Sequence, residues 1–265
     1  ITRLTLMIKP QKPLKIAVIS DCQVKGGVDL TYLTAIGNYI ASKKPDVIVN
    51  IGDFWDFPSL SSFDKGKLSF EGRRLKQDIE AGNKGMDSLL APIKKEQERL
   101  RVNKKRRWNP RMVFVTGNHE ARLARVAKDS PEMEGFVGYH LLNLSDWETY
   151  DFLKPAEING IFFTHYLQNA FTGKPLGGNA LNQLKTVGQS FVCGHKQTLD
   201  IAIRPVLSGG LQIGIICGAA YLHKEEYLGY TGNNHFRGIT MLHNVIDGFG
   251  NPSFVDTQYL VDNYT

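Results

Sequence analysis

Two rhythms of apolar and polar positions alternate along most of the chain. Short, nearly unbroken apolar runs recur at 14–20, 46–51, 112–116, 157–163 and 189–193, the pattern of strands covered on both faces. Between them the apolar residues fall at helical spacing. Residues 29–43 carry Leu30, Leu33, Ile36, Gly37 and Ile40 on one face, and Pro45 stops the pattern. Residues 71–101 carry Leu75, Ile79, Met86, Leu89, Leu90, Ile93 and Leu100, with Gly82 and Gly85 expected to break or bend the stretch into two helices. A helix bearing Arg122 and Arg125, a helical stretch at 131–144 and another helix at 177–187 follow, while 59–69 reads as an irregular loop. Beyond Leu199 the rhythm changes. Segments 199–204, 211–217, 237–246 and 254–261 are strand-like and joined by Gly-rich turns, which predicts a mainly antiparallel second sheet packed on the first.

Composition narrows the class. The 265 residues are 42 % hydrophobic and 22 % charged, ordinary for a globular protein, and they are read as one domain, 1–265, with 58–109 as a helical, basic insertion. No apolar run approaches the roughly 18 residues of a membrane helix, and there is no signal-peptide pattern. Cys22, Cys193 and Cys217 are too few and odd in number for a disulfide frame. A reducing, cytoplasmic setting without a membrane partner is expected; the oligomeric state is left open.

Charge is local. Nine cations between Lys94 and Arg111 face only Glu96 and Glu98, so this segment holds +7 of a chain whose net charge is +6. Such a patch attracts polyanions. Lys105 and Arg106, beside Trp108, are candidates for phosphate contact and base stacking. A solvated helix end is the alternative.

The ends of the apolar runs carry the chemistry. Asp21-Cys22-Gln23 places a carboxylate and an amide on one side of a strand end, although Asp21 also suits a helix cap. Gly52-Asp53-Phe54-Trp55-Asp56 offers two acids, one for a metal and one to orient a histidine, or turn chemistry alone. Gly117-Asn118-His119-Glu120, then His165, then Gly194-His195-Lys196-Gln197 close three further runs. Arg122 faces a prospective phosphate, and His223 and His235 are candidates for lining a substrate groove. Open α/β sheets place ligands at such strand tips. Two carboxylates, three amides and two imidazoles gathered there can hold two divalent cations about 4 Å apart.

In this order the motifs resemble those of the calcineurin-like metallophosphoesterases: Asp-x-His, Gly-Asp-x-x-Asp, Gly-Asn-His-Glu, a lone His, and Gly-His-x-His. The resemblance implies an α/β fold, a four-layer α/β/β/α sandwich with a helical insertion. It implies Asp53 as the bridging ligand, with Asn118, His165 and His195 completing one metal position. It also implies His119 as the residue that assists the leaving oxygen, paired with Asp56. Asp21, Gln23, Asp53 and Gln197 form the other position, where Gln23 and Gln197 stand in place of the family's histidines. Hard, neutral amide oxygens favour manganese or magnesium over zinc, so two divalent ions are expected, manganese foremost, with magnesium, iron or zinc as alternatives. Phe57 stands where Ser/Thr protein phosphatases carry arginine, which argues against that role. The implied activity is phosphodiester hydrolysis, by in-line attack of a metal-bound hydroxide on DNA or RNA. The alternatives are a phosphomonoesterase or small-nucleotide phosphodiesterase, and a non-catalytic metal-binding scaffold.

Overall fold

A computed structural model describes residues 12–62, 66, 68–225 and 229–265. Two sheets pack face to face. The first has the order β11-β10-β1-β2-β3-β4, built from β1 (Leu14–Ile19), β2 (Val47–Asn50), β3 (Arg111–Val115), β4 (Glu148–Tyr150), β10 (Gly238–Ile246) and β11 (Phe249–Asp256). The second has the order β5-β6-β7-β9-β8, from β5 (Ala156–Ile158), β6 (Ile161–Thr164), β7 (Phe191–Cys193), β8 (Asp200–Pro205) and β9 (Leu211–Ile216). Ile16, Val18, Val49 and Val113 of the first sheet meet Ile161, Phe163, Val192 and Ile215 of the second in a buried layer. The opposite face of the first sheet packs on α1 (Thr31–Lys43), α2 (Leu75–Val102) and α6 (Thr257–Tyr264). The outer face of the second sheet packs on α4 (Ala180–Val187). The result is the expected four-layer α/β/β/α arrangement. Strands β1, β2 and β3 are mutually parallel, as are β6, β7 and β9, so several strand ends share one edge.

Several local expectations are corrected. α2 is one continuous helix of 28 residues. Its glycines do not break it because they are contact points. A Cβ on Gly82 would lie 1.7 Å from the Trp55 ring, and one on Gly85 would lie 2.9 Å from Val24. The stretch 131–144 is not a helix but two short 3-10 turns, Pro131–Met133 and Tyr139–Leu141, with Gly135 at φ +81° between them. Segment 157–163 divides into β5 and β6, an antiparallel hairpin turned by Asn159 and Gly160, both at positive φ. The C-terminal strands do not form a separate antiparallel sheet. β10 and β11 join the first sheet because β10 pairs antiparallel with β1. Residues 257–261 are helical, since the Asp256 carboxylate caps α6 by accepting from Tyr259 N at 2.9 Å. Residues 63–65 and 67 of the expected loop, and residues 1–11, lie outside the described residues.

Candidate metal centre

Each donor owes its place to a strand end. β1 runs out into Asp21 and Gln23, β2 into Asp53, β3 into Asn118, β6 into His165 and β7 into His195 and Gln197. Main-chain bonds hold the tips of β1 and β2 together: Asp21 N donates to Gly52 O at 3.2 Å and Gln23 N to Asp53 O at 2.9 Å. Asp21, Gln23, Asp53, Phe57, His195 and Gln197 all have positive φ, between 45° and 67°. L-residues enter that region at a cost of order 1 kcal/mol each. Such strain clusters where a geometry is imposed for function.

Gly117 allows the β2 and β3 tips to touch. A Cβ there would lie 2.3 Å from Asp53 N, so only glycine fits. The buried Glu120 carboxylate then fastens both loops. Its Oε2 accepts from Asp53 N at 3.0 Å and Gly117 N at 2.9 Å, and its Oε1 accepts from Phe54 N at 2.7 Å and Trp55 N at 3.0 Å. Burial, with nearby Asp53, pushes the Glu120 pKa up to about 6.

The structure brings Asp53, His165 and His195 together, with one donor atom of each within 4.8 Å of the others. Asn118 Oδ1 lies 2.8 Å from His165 Nε2 and 2.9 Å from His195 Nδ1. His165 Nδ1 is turned to Ile51 O at 2.9 Å. A carbonyl can only accept, so that nitrogen carries the proton and Nε2 is left to face Asp53 Oδ2 at 3.2 Å. Burial alone would lower the His165 pKa, but Asp53 outweighs it and raises it to about 9. Burial and His165 together push His195 down to about 4. Burial would raise Asp53, yet His119 and His165 hold it below the usual carboxylate range.

Asp21 supplies the complementary observation. It is fully buried, its Oδ2 is engaged by the Ser20 hydroxyl and by His195 N, and its Oδ1 has no hydrogen-bond partner among the described residues. Burial pushes its pKa up to about 6. A buried carboxylate oxygen left open beside a carboxylate–imidazole–amide cluster fits a divalent cation. Gln23 is buried as well, and the Gln197 amide oxygen accepts from the Tyr221 hydroxyl at 2.6 Å.

His119 sits on the open side. Arg122 Nη2 lies 3.1 Å from its Nε2. A guanidinium only donates, so Nε2 accepts and Nδ1 carries the proton toward Asp56, with Oδ1 at 3.0 Å and the main-chain oxygen at 2.7 Å. Burial opposes a charged ring, but Asp53 and Asp56 more than offset it and raise the His119 pKa. Arg122 is fixed on α3 (Ala121–Asp129) and also donates to Asp56 O and Phe57 O. The Phe57 side chain is itself buried in the core.

The remaining candidates divide. His223 stacks on Tyr221 at 4.4 Å and bonds Glu225 at 2.8 Å, so it reaches the site through Tyr221. His235 is exposed. Lys105 and Arg106 are not brought to the cluster. They precede β3, beside the starts of the strands whose ends bear the site, because α2, about 42 Å long at 1.5 Å per residue, carries the chain to the opposite edge. Trp108 is no stacking platform: it is buried and donates to Pro45 O at 2.7 Å. Arg99 and Arg101 are paired with Glu96 and Glu98, the two acids already counted against the run. Sequence reasoning assigned no part to Glu120, Tyr221 or Lys25. Glu120 closes the His119 motif, and that adjacency was the available signal.

Among known proteins, the calcineurin-like phosphoesterase family matches residues 14–202. The gene 54 protein of Mycobacterium phage L5 is 27 % identical over 207 residues, covering 75 % of this chain and 74 % of its own length. The gene 54 protein of Mycobacterium phage D29 is 36 % identical over 80 residues, 30 % of each chain. Similar solved structures include the phosphoesterase YfcE of E. coli (14 % identity, TM-score 0.37) and a conserved protein of Streptococcus pneumoniae TIGR4 described as a predicted phosphoesterase (11 %, TM-score 0.33). Each aligns over 92 % of this chain and 99 % of its own. Among the described residues no helix is long and apolar enough to cross a membrane.

Proposed function

Since the chain belongs to the calcineurin-like phosphoesterase family, we propose that it is a metal-dependent phosphodiesterase. The observation that carries this reading is the convergence of Asp53, Asn118, His165 and His195, with His119 and Asp56 alongside. Asp53, Asn118, His165 and His195 would hold one divalent ion, and Asp21, Gln23, Asp53 and Gln197 a second, for which manganese is the best match to the amide oxygens. Bound divalent ions supply an acidified water and neutralise phosphate oxygens.

The protein's own groups do the rest. Arg122 leaves His119 Nε2 for a phosphate oxygen, and the freed nitrogen takes up a proton. As the attacking oxygen, one proton of its water given up to bulk solvent, bonds to phosphorus, the opposite P–O bond breaks. Its electron pair stays on the departing oxygen, which receives the His119 Nε2 proton. Asp56 holds the ring and stabilises its charged form.

A diester is favoured over a monoester by the charge available. Besides the metal ions, Arg122 is the cation that touches His119, Lys25 being taken up by Asp56 and Glu225, and Phe57 adds none. One negative charge needs less compensation than two. Among diesters, the net +7 of the 94–111 segment supports nucleic acid. Its place at the far edge of the sheet supports a second reading, a small nucleotide diester that never touches that segment.

The test is a panel of bis-(p-nitrophenyl) phosphate, p-nitrophenyl phosphate and single-stranded DNA, each with manganese. Diester turnover well above monoester turnover is expected, with DNA cleavage that weakens steeply as salt rises. Diester turnover without DNA cleavage selects the small-nucleotide reading. No turnover on any of the three leaves a metal-binding scaffold.

A further inference from the structure

Lys25 lies outside the donor set, yet its ammonium joins two buried acids. Nζ is 3.2 Å from Asp56 Oδ2 and 2.5 Å from Glu225 Oε1, and these acids are 8 % and 5 % exposed. The main chain sets this up. Val24 N donates to Phe54 O at 2.7 Å and Asp56 N to Val24 O at 3.0 Å. This parallel bridge between Val24 and Trp55 runs Lys25 alongside Asp56. Glu225 is anchored in turn. Its N donates to Asn233 Oδ1 at 2.8 Å, and its main-chain oxygen accepts from Asn233 Nδ2 at 2.7 Å, at the end of α5 (Gly229–Asn233). Its carboxylate also takes His223 Nε2 at 2.8 Å. A continuous line of polar contacts therefore runs from His223 through Glu225, Lys25 and Asp56 to His119.

Charge dictates what Lys25 does. Without it, the Asp56 and Glu225 carboxylates would share a buried space as like charges, and repulsion would turn Asp56 off the His119 ring. With it, one Asp56 oxygen is held on the ammonium and the other on Nδ1.

We infer that Lys25, secured by Glu225, is a positioning residue that fixes Asp56 and so aims His119 at the departing oxygen. The inference rests on the phosphodiesterase reading and adds to it a residue from outside the donor set.

The experiment compares full-length, manganese-loaded wild type with Lys25→Met, Lys25→Arg and Glu225→Gln on two diesters. Bis-(p-nitrophenyl) phosphate has a leaving group that departs without a proton, and diphenyl phosphate has one that benefits from it. Aim at the leaving oxygen predicts that Lys25→Met lowers kcat on diphenyl phosphate about 30-fold, a part of the roughly 10²–10⁴ that a positioned acid supplies. On bis-(p-nitrophenyl) phosphate the loss stays within about 3-fold, KM is unchanged on both, and Lys25→Arg restores most of kcat. Glu225→Gln shifts the same ratio in the same direction, less far. In parallel, a crystal structure of Lys25→Met should show Asp56 Oδ1 drawn off His119 Nδ1, from the 3.0 Å of wild type. Equal losses on both diesters, or an Asp56 carboxylate unmoved in both Lys25→Met and Glu225→Gln, overturn the inference. If wild type cleaves neither diester, the phosphodiesterase reading fails by itself, and the place of the Asp56 carboxylate still decides whether Lys25 fixes it. If Lys25→Met does not fold, Glu225→Gln decides by the same two readouts.

Discussion

The proposed centre has two sides, with Asp53 as their proposed common ligand, and they are built differently. On one side His165 and His195 face Asn118, and the His165 ring is steered from behind by Ile51 O. On the other, the Gln197 oxygen is already held by Tyr221, and Asp21 keeps one buried oxygen open. The first side offers imidazole nitrogens. The second offers neutral amides and a carboxylate, and one of its amides must be shared with a phenol. Two sides that look symmetric in motif order therefore differ in basicity and in readiness. The imidazole side should fill first and hold its ion longer.

Breaking both sides at once should have the largest effect. Asp53→Asn removes the carboxylate common to both, and turnover should fall at least about 10⁴-fold, with metal content, read by elemental analysis, falling alongside. Next, His119→Gln should slow turnover by about 10²–10³-fold on substrates with poor leaving groups while the metal stays bound. Glu120→Gln tests the frame beneath both sides. An amide nitrogen cannot accept, so two of four backbone N–H groups lose their acceptor. That costs about 1–3 kcal/mol for each and is readable as a lowered urea midpoint.

A finer contrast comes from Gln23→His with Gln197→His. Restoring imidazoles should shift metal preference toward zinc and slow loss of the second ion to chelators, measured by competition with a chromogenic chelator. The smallest effect is in pH. The His165 pKa is raised to about 9 in the metal-free protein, above the ordinary histidine value of about 6.5. A raised folded pKa gives stability that is complete below the unfolded value and is lost as pH climbs through 9. Melting temperature without metal should thus decline modestly between about pH 6.5 and 9. Metal competes with that same proton, so ion affinity should rise across the window.

The strand-tip side chains that converge were legible because each follows an apolar run ended by a turn, a pattern local to a few residues. Asp53 and Asn118 needed no knowledge of the fold to be suspected. The features that escaped are set by contacts between distant segments. Glu120 receives N–H groups from residues as far as 67 positions away, and no periodicity marks such a role. The glycines of α2 looked like breaks because local propensity counts against them, yet the approach of Trp55 and Val24 outweighs that preference. The basic run with Trp108 looked like one interface because its residues are adjacent in sequence. α2 ends there, the indole turns inward to Pro45, and the charges stay outside, at the edge of the sheet opposite the site. Charge runs report composition, whereas strand tips report position.

Trp55 seated against Gly82 has a consequence for how the chain tolerates change. A helix pinned at Gly82 and buried on one face as far as Leu100 cannot change length in between: one inserted residue would turn everything beyond it by about 100° and take Met86, Leu89 and Ile93 off the core. Length changes after Val102 meet no such constraint. Variation in length should therefore accumulate at the distal tip of the rod, leaving the stretch from Gly82 to Leu100 fixed.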